Sequence, residues 1–152
     1  MAPASIESWW PRPWVYSAKM GTFRITIEVS DLAGSQYVPL EALVDTGASY
    51  TLVPRPVLER LGIEPEEQWP FTLADDRIIE RDIAWARVRF QARYCFTVVV
   101  FGEPGAISLF GAHALEGLHL AVDPVGRRLM PVPGLLMVQL QRTIIPRDGG
   151  NP

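Results

Sequence analysis

Residues 42–49 read Ala42-Leu43-Val44-Asp45-Thr46-Gly47-Ala48-Ser49, and this stretch decides how the rest of the chain is read. Leu43 and Val44 form an apolar run suited to a buried strand. That strand delivers a single carboxylate, Asp45, into a tight Thr-Gly turn. Gly47 has no β-carbon, so the backbone can turn there and a ligand can come close. Thr46 carries a hydroxyl that can bond neighbouring backbone instead of solvent. A carboxylate so placed either caps backbone donors in an ordinary turn of a β-sandwich or is presented to a substrate. The flanking sequence has to separate the two.

Two further segments do so. Phe71-Thr-Leu73-Ala74-Asp75-Asp76-Arg77-Ile-Ile-Glu-Arg81 reads as a strand, a charged turn and a second strand. Ile107-Ser-Leu109-Phe110-Gly111-Ala-His-Ala-Leu115 places two apolar residues before a glycine and a short helix. With the segment around Asp45, and in this order, they resemble the active-site loop, the flap hairpin and the hydrophobic-hydrophobic-Gly element of retropepsin-like aspartic proteases. The resemblance covers most of residues 23–131. It departs from the family pattern at Asp76, where the flap turn commonly carries Gly. Asp tolerates turn conformations, left-handed ones included, better than most residues, so a hairpin is still expected.

The resemblance implies an all-β, closed, barrel-like domain with one or two short helices. It also implies peptide hydrolysis by an aspartate pair. Two carboxylates about 3 Å apart do not both ionise easily, so one keeps a proton and the other stays anionic. That is a general property of aspartic proteases. The anionic member activates a water and the protonated one polarises the scissile carbonyl. This sequence has one Asp-Thr-Gly and no second copy. The second aspartate is therefore expected to be Asp45 of a partner copy in a homodimer. On the same basis Thr46 buttresses the pair across the two-fold axis, Gly47 and Ala48 offer backbone groups to substrate, and Ser49 bonds near the Asp45 carboxylate. Leu73, Ala74, Asp75, Asp76 and Arg77 form the flap, and Ile107, Leu109, Phe110 and Gly111 form the floor. The substrate implied by the resemblance is a peptide or protein bound in extended form. The competing reading is a non-catalytic module that keeps the fold for dimerisation or peptide binding.

Composition bounds these readings. The 152 residues are 48% hydrophobic, enough for one domain with its own core. A net charge of −3 with pI near 5.4 gives no electrostatic case for nucleic acid. Cys95 is the only cysteine, which rules out an intrachain disulfide. Its setting, Tyr94-Cys-Phe-Thr-Val-Val-Val-Phe101, suits a small buried strand residue better than a nucleophile. His113 and His119 lack the Cys/His/Asp partners of a metal set, and no cofactor or metal is expected. Arg87, Arg89 and Arg93 read as the outer face of a strand and its turn. No run approaches the roughly 18–20 apolar residues of a membrane span. The first residues lack the basic and apolar blocks of a secretory leader, so the expected location is cytoplasmic.

Three regions are expected: a Trp/Pro-rich arm at 1–20 (Trp9, Trp10 and Trp14 among Pro3, Pro11 and Pro13), the folded domain at 21–145, and a tail at 146–152. Period-two alternation predicts strands over Phe23–Val29, Tyr37–Val44, Tyr50–Val53, Trp69–Leu73, Ile78–Ala84 and Arg87–Phe90. Cys95–Phe101 is a more continuously apolar strand, with turns at 31–35 and 123–126. Leu129–Pro131 begins a closing strand, and residues 134–141 follow. Short helices are expected over Pro56–Gly62 and Ala112–Gly117.

Overall fold

The structure is a computed structural model that describes residues 22–134. The expected arm, the tail and nearly all of the 134–141 strand lie outside the described residues. Within them the chain runs as β1 (Arg24–Ser30), β2 (Val38–Val44), β3 (Thr51–Pro54), α1 (Arg55–Arg60), β4 (Glu67–Thr72), β5 (Ile78–Phe90), β6 (Arg93–Gly102), β7 (Ser108–Phe110), α2 (Ala112–Gly117), β8 (Leu120–Asp123) and β9 (Arg128–Pro131). The expected all-β domain with two short helices is what forms.

Seven strands make one sheet in the order β1-β2-β7-β3-β6-β5-β4. A further pairing of β1 with β5 (Glu28 opposite Arg89, Ser30 opposite Arg87) closes β1, β2, β7, β3, β6 and β5 into a six-stranded barrel. β4 stays outside the ring, paired antiparallel to the first half of β5. β8 and β9 form a separate two-stranded sheet, so β9 pairs with its neighbouring hairpin arm and does not join the barrel.

Most boundaries move by one or two residues, and one expected break is absent. Ile78–Ala84 and Arg87–Phe90 are a single strand of 13 residues, β5. Nothing in Trp85-Ala86 breaks it: Trp85 carries the alternation through, and Ala86 lies fully buried opposite Thr97. The first half of β5 is flanked by β4, the second half by β1, and β6 pairs with Ile83 through Phe90 on the other side.

Two apolar clusters explain the patterns. Ile27, Val29, Val53, Val88, Phe101 and Phe110 belong to the main core inside the barrel. Ile83, Val98 and Val100 form a second cluster, with Tyr50, Leu52, Trp69, Phe71 and Trp85 packed against it. β6 lies between the two. Val99 and Phe101 face the first and Val98 and Val100 the second, so its residues 97–102 are all buried and its sequence loses the usual polar alternation.

α1 is short and closed at its end by sequence. Pro56 sits in its first turn, where a missing N–H costs nothing. Gly62 adopts φ +74, and the N–H groups of Gly62 and Ile63 donate to the carbonyls of Glu59 and Leu58 at 2.9 Å each. This is the Schellman arrangement.

Candidate active site

The site is built where β2 and β3 are joined by a loop and β7 slips between them. β7 runs parallel to β2 (Val44 opposite Phe110) and antiparallel to β3 (Leu52 opposite Leu109). The loop of residues 45–50 therefore crosses over the end of β7, and its backbone is tied to what lies below. Asp45 N–H donates to Phe110 O at 3.1 Å. Beyond β7, Ala112 N–H donates to Ala48 O at 2.8 Å and His113 N–H to Ser49 O at 3.0 Å. Gly111 N–H donates to the buried Thr51 hydroxyl oxygen at 3.2 Å. Within the loop, Ala48 N–H closes a turn onto Asp45 O at 3.2 Å.

Gly111 is required by contact. A β-carbon there would collide with the Tyr50 carbonyl and lie 2.9 Å from the Ala48 carbonyl oxygen. Gly111 also precedes α2 as an extended residue (φ −92, ψ 176).

Asp45 is half-buried, and Gly47 N–H donates to its Oδ1 at 2.9 Å. That bond fixes the carboxylate relative to the turn. Thr46, Gly47 and Ser49 are exposed on the loop, and Ala48 is half-buried. Ser49 contributes its carbonyl to His113.

The β4–β5 hairpin carries the expected flap at its tip. Leu73 N–H donates to Arg77 O at 2.8 Å, and Asp76 N–H to Leu73 O at 2.9 Å. Asp76 takes φ 68, the left-handed conformation that the family's usual Gly would adopt freely. The turn closes with Asp in that place. Asp75 braces it, its carboxylate accepting Arg77 N–H at 3.2 Å and Arg77 Nε–H at 2.7 Å. These bonds hold the Asp75 carboxyl below the usual carboxylate range. Leu73 is half-buried, while Ala74, Asp75, Asp76 and Arg77 are exposed.

Of the expected floor, Leu109, Phe110 and Gly111 lie under the loop, with Phe110 fully buried. Ile107 does not join them: it precedes β7 and is 51% exposed.

Two groups of residues escaped the sequence reading. Thr51 supplies a hydroxyl beneath the loop, and its only signal was one polar residue in the apolar run Tyr50-Thr-Leu-Val53. The aromatic rings around Tyr50 had no signal, since they come from separate elements. Tyr50 meets Trp69 at 5.8 Å, Phe71 at 6.3 Å and His113 at 5.1 Å between ring centroids, all edge-to-face.

The three arginines on the outer face each have a partner within the chain. Arg87 lies over the Tyr94 ring and donates to Leu32 O at 2.9 Å. Arg89 forms a two-pronged pair with Glu28 at 2.8 and 3.1 Å and lies over Tyr37. Arg93 donates to Leu118 O at 2.8 Å. Burial pushes the Cys95 thiol up to about 11, as suits a packed side chain against α2. Among the described residues no helix is long and apolar enough to cross a membrane.

Comparison with known proteins gives the family of this chain. The family described as gag-polyprotein putative aspartyl protease matches residues 35–117, just over half of the chain, and the chain belongs to it. The match takes in the Asp45 loop, the β4–β5 hairpin and the Gly111 element. Among solved structures, a retropepsin-like aspartic protease from Rickettsia conorii is similar at 20% identity and a TM-score of 0.49, over 69% of this chain and 79% of that one. No curated protein matches.

Proposed function

We propose that this protein is an aspartic endopeptidase working as a two-fold homodimer, with Asp45 of each copy supplying half of the catalytic pair. The observation that carries the reading is the Asp45 loop itself. One carboxylate per chain is fixed by Gly47 N–H at the tip of a loop seated on Gly111, in a chain of the aspartyl protease family. A two-fold axis is the simplest operation that brings two copies of one residue face to face. Across that axis the pair shares one proton: the anionic carboxylate takes a proton from the attacking water, and the protonated one donates to the carbonyl oxygen. Thr46 steadies the pair, Gly47 and Ala48 present backbone groups to the substrate, and residues 73–77 cover an extended peptide and exclude water. The closed turn at Asp76 supports the enzyme over the binding module, because the family departure leaves a hairpin of the right form.

The test is incubation of wild type and Asp45→Asn with a denatured protein mixture across a range of pH. The amide is nearly isosteric, so the variant should keep its fold and oligomeric state and lose cleavage. Wild-type activity should follow a bell in pH, because the shared-proton state exists between two coupled ionisations. Activity should fall faster than linearly on dilution, and excess Asp45→Asn should poison wild type through mixed dimers. Undiminished cleavage by Asp45→Asn would overturn the proposal, and absence of cleavage by wild type would favour the non-catalytic module.

A further inference from the structure

We infer that Tyr50 is a positioning residue whose ring seats the flap hairpin over Asp45. The inference rests on residues 73–77 acting as the substrate-covering flap. Tyr50 leaves the active-site loop directly into the second apolar cluster and is half-buried there. Its ring touches Trp69 and Phe71, both on β4, the arm that leads to the flap tip. The same ring also meets His113, whose backbone N–H is bonded to Ser49 O. Trp69 in turn meets Trp85 on β5 at 5.9 Å, so both arms of the hairpin are drawn to the same point.

The topology gives this contact its weight. Among the described residues β4 lies outside the closed ring and pairs with β5 alone, so that ladder by itself does not set the height of the hairpin relative to the loop. The Tyr50 ring links β4 to the loop that carries Asp45. Edge-to-face pairs at these separations are each worth about a 2- to 10-fold change in an equilibrium. Losing both flap contacts should therefore favour the lifted hairpin by at least about 4-fold.

The decisive experiment follows amide exchange at Leu73 and Asp76 in wild type, Tyr50→Phe, Tyr50→Leu and Phe71→Leu, beside KM and kcat for an apolar peptide. Tyr50→Leu keeps apolar volume, which protects the fold while removing the ring. Exchange at both flap amides should rise at least about 4-fold in Tyr50→Leu, which loses both contacts, and at least about 2-fold in Phe71→Leu, which loses one, while that of Val44, bonded to Phe23 O inside the barrel, should stay at its wild-type rate. The double variant should add less than the sum of the two, since they share one contact. Tyr50→Phe should match wild type. KM should rise more than kcat falls, with the pH profile unmoved because Asp45 keeps its surroundings. Wild-type exchange in Tyr50→Leu, or equal damage in Tyr50→Phe, would overturn the inference. If no wild-type cleavage is found at all, the enzyme reading falls while the exchange rates still decide the role of Tyr50.

Discussion

Gly111 and Tyr50 cross with their backbones in direct contact, leaving no room for a side chain between them. Gly111→Ala should destabilise the fold by about 2 kcal/mol or more, because the obstruction is backbone and cannot rotate away. Urea unfolding measures this, and a loss below about 0.5 kcal/mol would show that the loop can lift off β7 freely.

At the flap, Asp76 holds φ 68 against the preference of a residue with a β-carbon. Asp76→Gly relieves that strain but frees the unfolded chain, so stability should stay within about 1 kcal/mol. Asp76→Val, β-branched and poorly suited to φ above zero, should loosen the turn and speed exchange at Leu73 N–H. Equal exchange in the Gly and Val variants would argue that the turn geometry does not depend on this residue.

The buried Cys95 thiol stays protonated through neutral and mildly alkaline pH, its ionisation pushed up to about 11 by burial. A thiol reagent at pH 8 should label the folded protein slowly and the guanidinium-unfolded protein at once. Cys95→Ala should retain Asp45-dependent cleavage. Rapid labelling of the native protein would mean that α2 opens readily from β6.

Arg89 holds the Glu28 carboxyl below its usual range, chiefly by hydrogen bonding, across the seam between β1 and β5. The folded-state ionisation is depressed. The stability it contributes is therefore present above the unfolded value of about 4.3 and is lost as pH falls through the folded one. Thermal melts between pH 3 and 7 should show a steeper acid loss for wild type than for Glu28→Gln. Parallel curves would assign the acid sensitivity to other carboxylates.

Much of this was legible in the chain. The Asp45 loop, the flap turn, the Pro56-to-Gly62 helix and the alternating strands are local patterns, and local patterns survive folding. What the sequence left open is what distant elements decide. β6 reads as continuously apolar because it separates two clusters, one of which contains Trp69 from another hairpin. Ile107 reads as part of the floor with Leu109 and Phe110, yet it lies just ahead of β7 and is exposed. The ring cluster around Tyr50 joins residues from three elements, and no spacing along the chain encodes that meeting.

The seam that closes the barrel also bears on the order of assembly. Arg89 and Glu28 are 61 residues apart in sequence, whereas β5 and β6 turn directly into each other between Phe90 and Arg93. Bringing distant segments together costs more chain entropy than zipping a hairpin, so the β5–β6 ribbon should form early and the β1–β5 seam late. In the interval β5 is an open edge, and crowded or fast synthesis leaves it available to a neighbouring chain. Refolding yield should therefore depend more steeply on protein concentration than native stability does.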